Sequence, residues 1–128
     1  MEKAFIISNN PAVWQSYRQA RQVKGSLQEV FVDARNFIHQ GSKLLNHPLA
    51  GSIKPNETPF KSLILTQERG TLDYQSLSMI ESAMEILNKM PVLARSWNNS
   101  VIEDFAMIDL NLLQSAIDAL PNTIYFEK

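Results

Sequence analysis

The stretch His47 to Ser62 reads His-Pro-Leu-Ala-Gly-Ser-Ile-Lys-Pro-Asn-Glu-Thr-Pro-Phe-Lys-Ser and gathers the densest set of side chains able to do chemistry. His47 and Glu57 can exchange protons near neutral pH when suitably placed, which makes them the candidate acid–base residues. Lys54 and Lys61, with Lys43 just upstream, supply positive charge for a carboxylate or phosphate. Ser52, Asn56, Thr58 and Ser62 supply neutral hydrogen-bonding groups. Two chemistries suit this set. One is capture of a small anionic metabolite. The other is catalysis on such a metabolite, with His47 as general acid or base and a lysine steadying the negative charge.

Stiffness is what lets such a loop serve as a site. It holds three of the six prolines and one of the four glycines. Each proline fixes one φ angle and drives its predecessor towards extended backbone, so less entropy is lost when the loop orders. The same composition also suits an inert connection lying over a sheet edge.

Other chemistries are absent from the sequence. There is no cysteine, which excludes disulfides, thiolate metal sites and thiol catalysis. The two histidines, His39 and His47, are not spaced as metal ligands, so no metal site is expected. Gly51-Ser52 lacks the phosphate-loop pattern, and no cofactor fingerprint is legible. His39 falls in the last turn of an expected helix, where an imidazole favours the negative end of the dipole.

The elements that must position the loop alternate between strand and helix. Ala4 to Ile7 is an unbroken apolar run, as in a strand buried on both faces. Asn10-Pro11 starts a helix: the Asn side chain caps free N–H groups, and proline is preset for the first helical position. A short strand is expected near Arg21 to Lys24. Ser26-Leu27-Gln28-Glu29 is a capping box, followed by a helix with Leu27, Val30, Phe31, Ala34 and Ile38 inward and Gly41 as its stop. Lys43 to Leu45 leads into the loop, and Ser62 to Thr66 is a buried strand leaving it. A helix from Asp73 or Ser76 runs to Lys89 and ends before Pro91. Val92 to Ser100 reads as a loop and Val101 to Ala106 as an edge strand. Asp109 reads as the cap of a last helix, and Ile124 to Phe126 as a short strand or docking tail.

This order predicts one domain over residues 1–128, a small three-layer α/β sandwich with a mostly parallel, Rossmann-like sheet. Ligands of such sheets bind beyond the carboxyl ends of the strands. That rule adds Asn9 and Asn10 to the ligand-binding candidates and predicts that Lys43, Lys54 and Lys61 converge beside them. Charge asymmetry points the same way: eight Lys or Arg stand against four Asp or Glu from Met1 to Lys61, and four against nine from Ser62 onward. No run suits a signal peptide or a membrane span, so a cytoplasmic protein is expected.

From Gly41 through Ser62 the chain resembles the GrdX family of small proteins, encoded beside the glycine, sarcosine and betaine reductases of anaerobic bacteria. Ser8-Asn9-Asn10-Pro11, Glu103-Asp104-Phe105 and Ile108-Asp109 carry the likeness further, over most of the chain. Members of that family commonly have His at the position of Ser42 and Tyr at that of Phe60. The resemblance implies amino-acid fermentation and an accessory role, with a small anionic metabolite or a reductase component as partner. It implies no mechanism. An accessory or binding protein is therefore the leading reading and a small enzyme using His47 the alternative. A nucleic-acid regulator ranks last, because no basic face, known DNA-binding motif or aromatic stacking platform is legible.

Overall fold

A computed structural model of the chain describes residues 1–49, 58–90 and 97–127. Among these, eight elements follow one another: β1 (Glu2–Ser8), α1 (Pro11–Ser16), β2 (Arg21–Gln22), α2 (Leu27–His39), β3 (Ser62–Thr66), α3 (Tyr74–Lys89), α4 (Asn99–Asp118) and β4 (Ile124–Phe126). The four strands form one sheet around β1. Residues alternate across a strand, so Phe5, Ile7, Leu63 and Leu65 turn to one face, where α2 and α3 pack. Ala4, Ile6 and Ile64 turn to the other, where they meet Val13 of α1 and Leu110 and Leu113 of α4. Helices on both faces explain why β1 and β3 lack polar alternation in their centres.

The sheet is mixed, which corrects the expected mostly parallel, Rossmann-like arrangement. β1 runs parallel to β2 at Ile7 and Ser8, and parallel to β4 from Glu2 to Ala4. Its longest ladder is antiparallel, pairing Ala4 with Thr66 through Ser8 with Ser62. The cause is the path after α2. Lys43 to Asn46 runs along the outer edge of β3, with a bridge from Leu44 to Leu65 and bonds from Leu45 N–H to Ile64 O and from Thr66 N–H to Lys43 O. The chain must then reverse before it enters the sheet as β3. That covers the outer edge of β3, so all of its residues are buried. On the far edge of β1, β4 ends opposite Ala4 and β2 begins opposite Ile7. Phe5 and Ile6 have no strand facing them there.

The expected caps are in place. The side chains of Asn10, Ser26 and Asp73 accept backbone N–H groups at the starts of α1, α2 and α3. The last helix corrects two expectations. Asn98, not Asp109, caps α4, and Val101 to Ala106 is helical rather than an edge strand. β-Branched Val101 and Ile102 favour strand only weakly, and packing overrides them. The Phe105 ring lies 5.2 Å from that of Trp97, and the stripe of Leu110 and Leu113 docks on the sheet. Of the expected loop Val92 to Ser100, residues 92–96 lie outside the described residues, and Asn99 and Ser100 already belong to α4. Among the described residues no helix is long and apolar enough to cross a membrane.

The exit from α2 depends on Gly41. Its φ of +107° is left-handed, and a Cβ there would run into the Gly70 backbone. The next residue, Ser42, is fully buried, and its hydroxyl meets no hydrogen-bonding partner among the described residues. Two neighbouring substitutions should therefore move stability in opposite directions. Gly41→Ala should cost about 2 kcal/mol or more, through backbone strain and collision. Ser42→Ala removes an unpaired buried hydroxyl and should leave stability unchanged or raise it by about 1 kcal/mol. Urea unfolding midpoints check both; a Gly41→Ala variant as stable as the parent chain would contradict the tight turn.

Candidate functional site

The chemistry-bearing side chains that the fold brings together sit where β1 ends and β3 begins. The antiparallel register sets Ser8 opposite Ser62, both buried, with hydroxyl oxygens 2.7 Å apart. The Asn10 backbone N–H donates to Ser8 Oγ at 3.0 Å, and Ser62 Oγ donates to Asp109 Oδ2 at 2.8 Å. A backbone N–H only donates and a carboxylate only accepts. The protons of this chain therefore point one way, from Asn10 N–H to Ser8, from Ser8 to Ser62 and from Ser62 to Asp109.

Asn10 also ties two helices together. Its Oδ1 accepts Ala12 N–H at 3.0 Å as the cap of α1. That orients the amide and leaves Nδ2 to donate to Ala106 O at 2.8 Å and Asp109 Oδ2 at 3.0 Å on α4. Asn9 clips two loops. Its Nδ2 donates to Gly25 O and Pro59 O, and its Oδ1 accepts the Lys61 N–H at 2.9 Å.

Two charged side chains sit in this cluster, Lys61 and Asp109, each only 7% exposed. Burial pushes the Asp109 carboxyl above its ordinary range, against the opposing pull of Asn10, Ser62 and the Lys61 charge. Burial likewise holds the Lys61 ammonium below its ordinary value, opposed by the negative charge of Asp109. The arrangement offers a fixed cation for an anion, a carboxyl that protonates more readily than usual, and a directed run of hydroxyls beside them.

Of the residues singled out in the sequence, Asn9, Asn10 and Lys61 lie in this cluster. Thr58 sits close by on the segment entering β3, where its hydroxyl turns onto the Phe60 backbone. His47 follows Asn46, whose side chain pairs with Ser62 O and Ile64 N–H, so it leaves the sheet at the same end. Its ring is exposed, and Nδ1 accepts the Leu49 N–H at 3.1 Å, a local turn. Lys43 is elsewhere. Its N–H donates to Thr66 Oγ1, at the opposite end of β3 from Ser62, about 13 Å away at strand rise. The expected convergence of three lysines therefore leaves out Lys43, because Lys43 to Asn46 runs antiparallel to β3. Ser52, Lys54, Asn56 and Glu57 lie outside the described residues.

Of the cluster, Ser62 is a hydrogen-bonding group of the expected loop and Ser8 lies on the expected edge, whereas Asp109 is read from the sequence only as a helix cap. A signal for Asp109 exists: it stands on the apolar stripe of Ala106, Leu110 and Leu113, and a carboxylate on a buried helix face needs donors from another element.

A mixed α/β sheet between helices, with a charged cluster buried at one end, defines the class of protein. A family model described as GrdX-like protein matches residues 5–118, and the chain belongs to that family. No curated protein and no solved structure matches it.

The raised Asp109 value carries a signed pH dependence. A carboxyl that protonates more readily when folded penalises folding once ionised. The penalty is absent below the ordinary carboxylate range and fully present above the raised folded value. Asn at this position keeps an acceptor for Ser62 and does not titrate. The unfolding free energy of the parent chain relative to Asp109→Asn should therefore fall as pH rises through that window. Urea titrations across the acidic range test this, and a difference that grows with pH would reverse the assignment.

Proposed function

We propose that the chain is an accessory, small-anion-binding protein of glycine, sarcosine and betaine reductase metabolism, acting in the cytoplasm, with Lys61 as the group that receives the anion. The burial of Lys61 carries this reading. Taking an ammonium out of water costs several kcal/mol. Methionine would fill similar space without a charge to desolvate. A cation kept buried at that cost suits the binding of a carboxylate or phosphate. Asn9 fixes the backbone of Lys61, and the Asp109 carboxyl beside it favours the charged ammonium. Family membership supports the metabolic setting, in which the ligand is a carboxylate or an acyl phosphate, free or presented by a reductase component.

The test separates binding from packing. Thermal-shift measurements with glycine, sarcosine, betaine and acyl phosphates should find an anion that stabilises the protein. Saturation at 100 times the dissociation constant would add about 2.7 kcal/mol. Lys61→Met leaves the buried Asp109 carboxyl without its cation, so it should lower the ligand-free stability, by up to about 3–5 kcal/mol, and abolish the ligand-dependent gain. A Lys61→Met protein that responds to the anion as the parent does would sink the reading.

A further inference from the structure

A cleft of about 820 Å³ opens where the β1 edge has no strand partner, between the ends of β4 and β2. It is separate from the cluster described above: none of Ser8, Asn9, Asn10, Lys61, Ser62 or Asp109 lines it. We propose that this cleft is a second binding site, for a mononucleotide: one phosphate group joined to an aromatic base.

The charge of its walls sets the first part of that class. Lys3 is paired with Glu127 at 2.7 Å, and Arg21 is held by both oxygens of Asp33 at 2.6 and 3.2 Å. Arg18 and Arg69 also line the cleft, and neither forms an ion pair among the described residues. Two guanidinium groups without carboxylates are what a phosphate requires, because each offers a planar fork of donors. The Arg69 guanidinium is placed in advance, lying 5.8 Å from the centre of the Phe37 ring.

The remaining walls set the second part. Tyr17 and Phe126 give an aromatic and apolar surface, suited to the face of a base, whereas the Phe37 ring is taken by Arg21 and Arg69. The Gln15 and Gln67 side chains reach the same cleft and make no hydrogen bond within the described residues, so their amides are available to the edge of a base. The volume lies within the range of about 300–1,000 Å³ of small-molecule sites and far exceeds the needs of a lone carboxylate or phosphate. A peptide strand suits the gap poorly, because only Phe5 and Ile6 lack a facing strand.

Calorimetric titration of the full chain with AMP, GMP, CMP and UMP, alongside adenosine and inorganic phosphate, tests the proposal. At least one nucleotide should bind saturably with a dissociation constant below about 1 mM. Its nucleoside and phosphate alone should each bind about tenfold or more weakly, since each keeps only one half of the contacts. Arg18→Gln, at an exposed position with no ion pair or side-chain hydrogen bond among the described residues, should leave the unfolding midpoint unchanged and weaken the nucleotide about tenfold. Arg69→Gln should weaken it similarly, whereas Lys61→Met should leave it unchanged and so distinguish this cleft from the Lys61 site. Failure of all four nucleotides to bind, nucleoside or phosphate binding as tight as the nucleotide, or insensitivity to Arg18→Gln would each overturn it.

Discussion

A carboxylate removed from water must be met by donors, and Asp109 is met by two other elements at once. Ser62 comes from β3 and Asn10 from the cap of α1. Each such bond contributes about 1 kcal/mol net, but a buried acceptor left unmet costs about 1–3 kcal/mol. The tie therefore acts mainly against alternatives. A one-residue slip of β3 along β1 would turn Ser62 to the α2 side and bring an apolar residue opposite Asp109. The Ser8–Ser62 contact would go with it, leaving two hydroxyls among apolar neighbours. Register, the seat of α1 and the depth of α4 are thus held by one polar cluster at the Ser8 end of β1.

Much of this was legible in the sequence because it rests on local chemistry. The caps Asn10, Ser26 and Asp73, the apolar runs of β1 and β3, and the stop at Gly41 each follow from a side chain and its near neighbours. What could not be read was set by contacts distant along the chain. Strand direction depends on where the chain reverses between Asn46 and Ser62, and prolines mark stiffness but not heading. Parallel and antiparallel strands buried on both faces carry the same apolar signature, so alternation of elements was a poor guide to a mixed sheet. Asp109 looked like a cap because a lone acid before an apolar stripe commonly is one. Its role emerges only when Ser62, 47 residues away, arrives beside it.

The basic first half divides on folding. Lys43 goes to the far end of β3 and Lys61 to the buried cluster, while Lys3, Arg18 and Arg21 go to the open edge of β1. Charge counted along the sequence thus predicted a positive half but not its geography, because strand reversal and strand ends decide which cations meet.

The two regions differ in how firmly they are held, and the cause lies in β1 itself. One edge of β1 is held from Ala4 to Ser8 by a continuous ladder of five residue pairs with β3, and its Ser8 end is tied further by hydrogen bonds to α1 and α4. Its opposite edge is held only by a two-residue pairing with β2 and a three-residue pairing with β4. Short ladders at an edge are the places where local opening requires least free energy. A cation buried at the firm end must be desolvated permanently, which suits a fixed charge with a narrow task. Arginines on the loosely held edge remain hydrated until something arrives, and that edge has room to adjust to a larger guest. One strand thereby carries a rigid charged end and an adaptable aromatic flank, and the difference follows from one continuous ladder on one side against two short, separated ladders on the other.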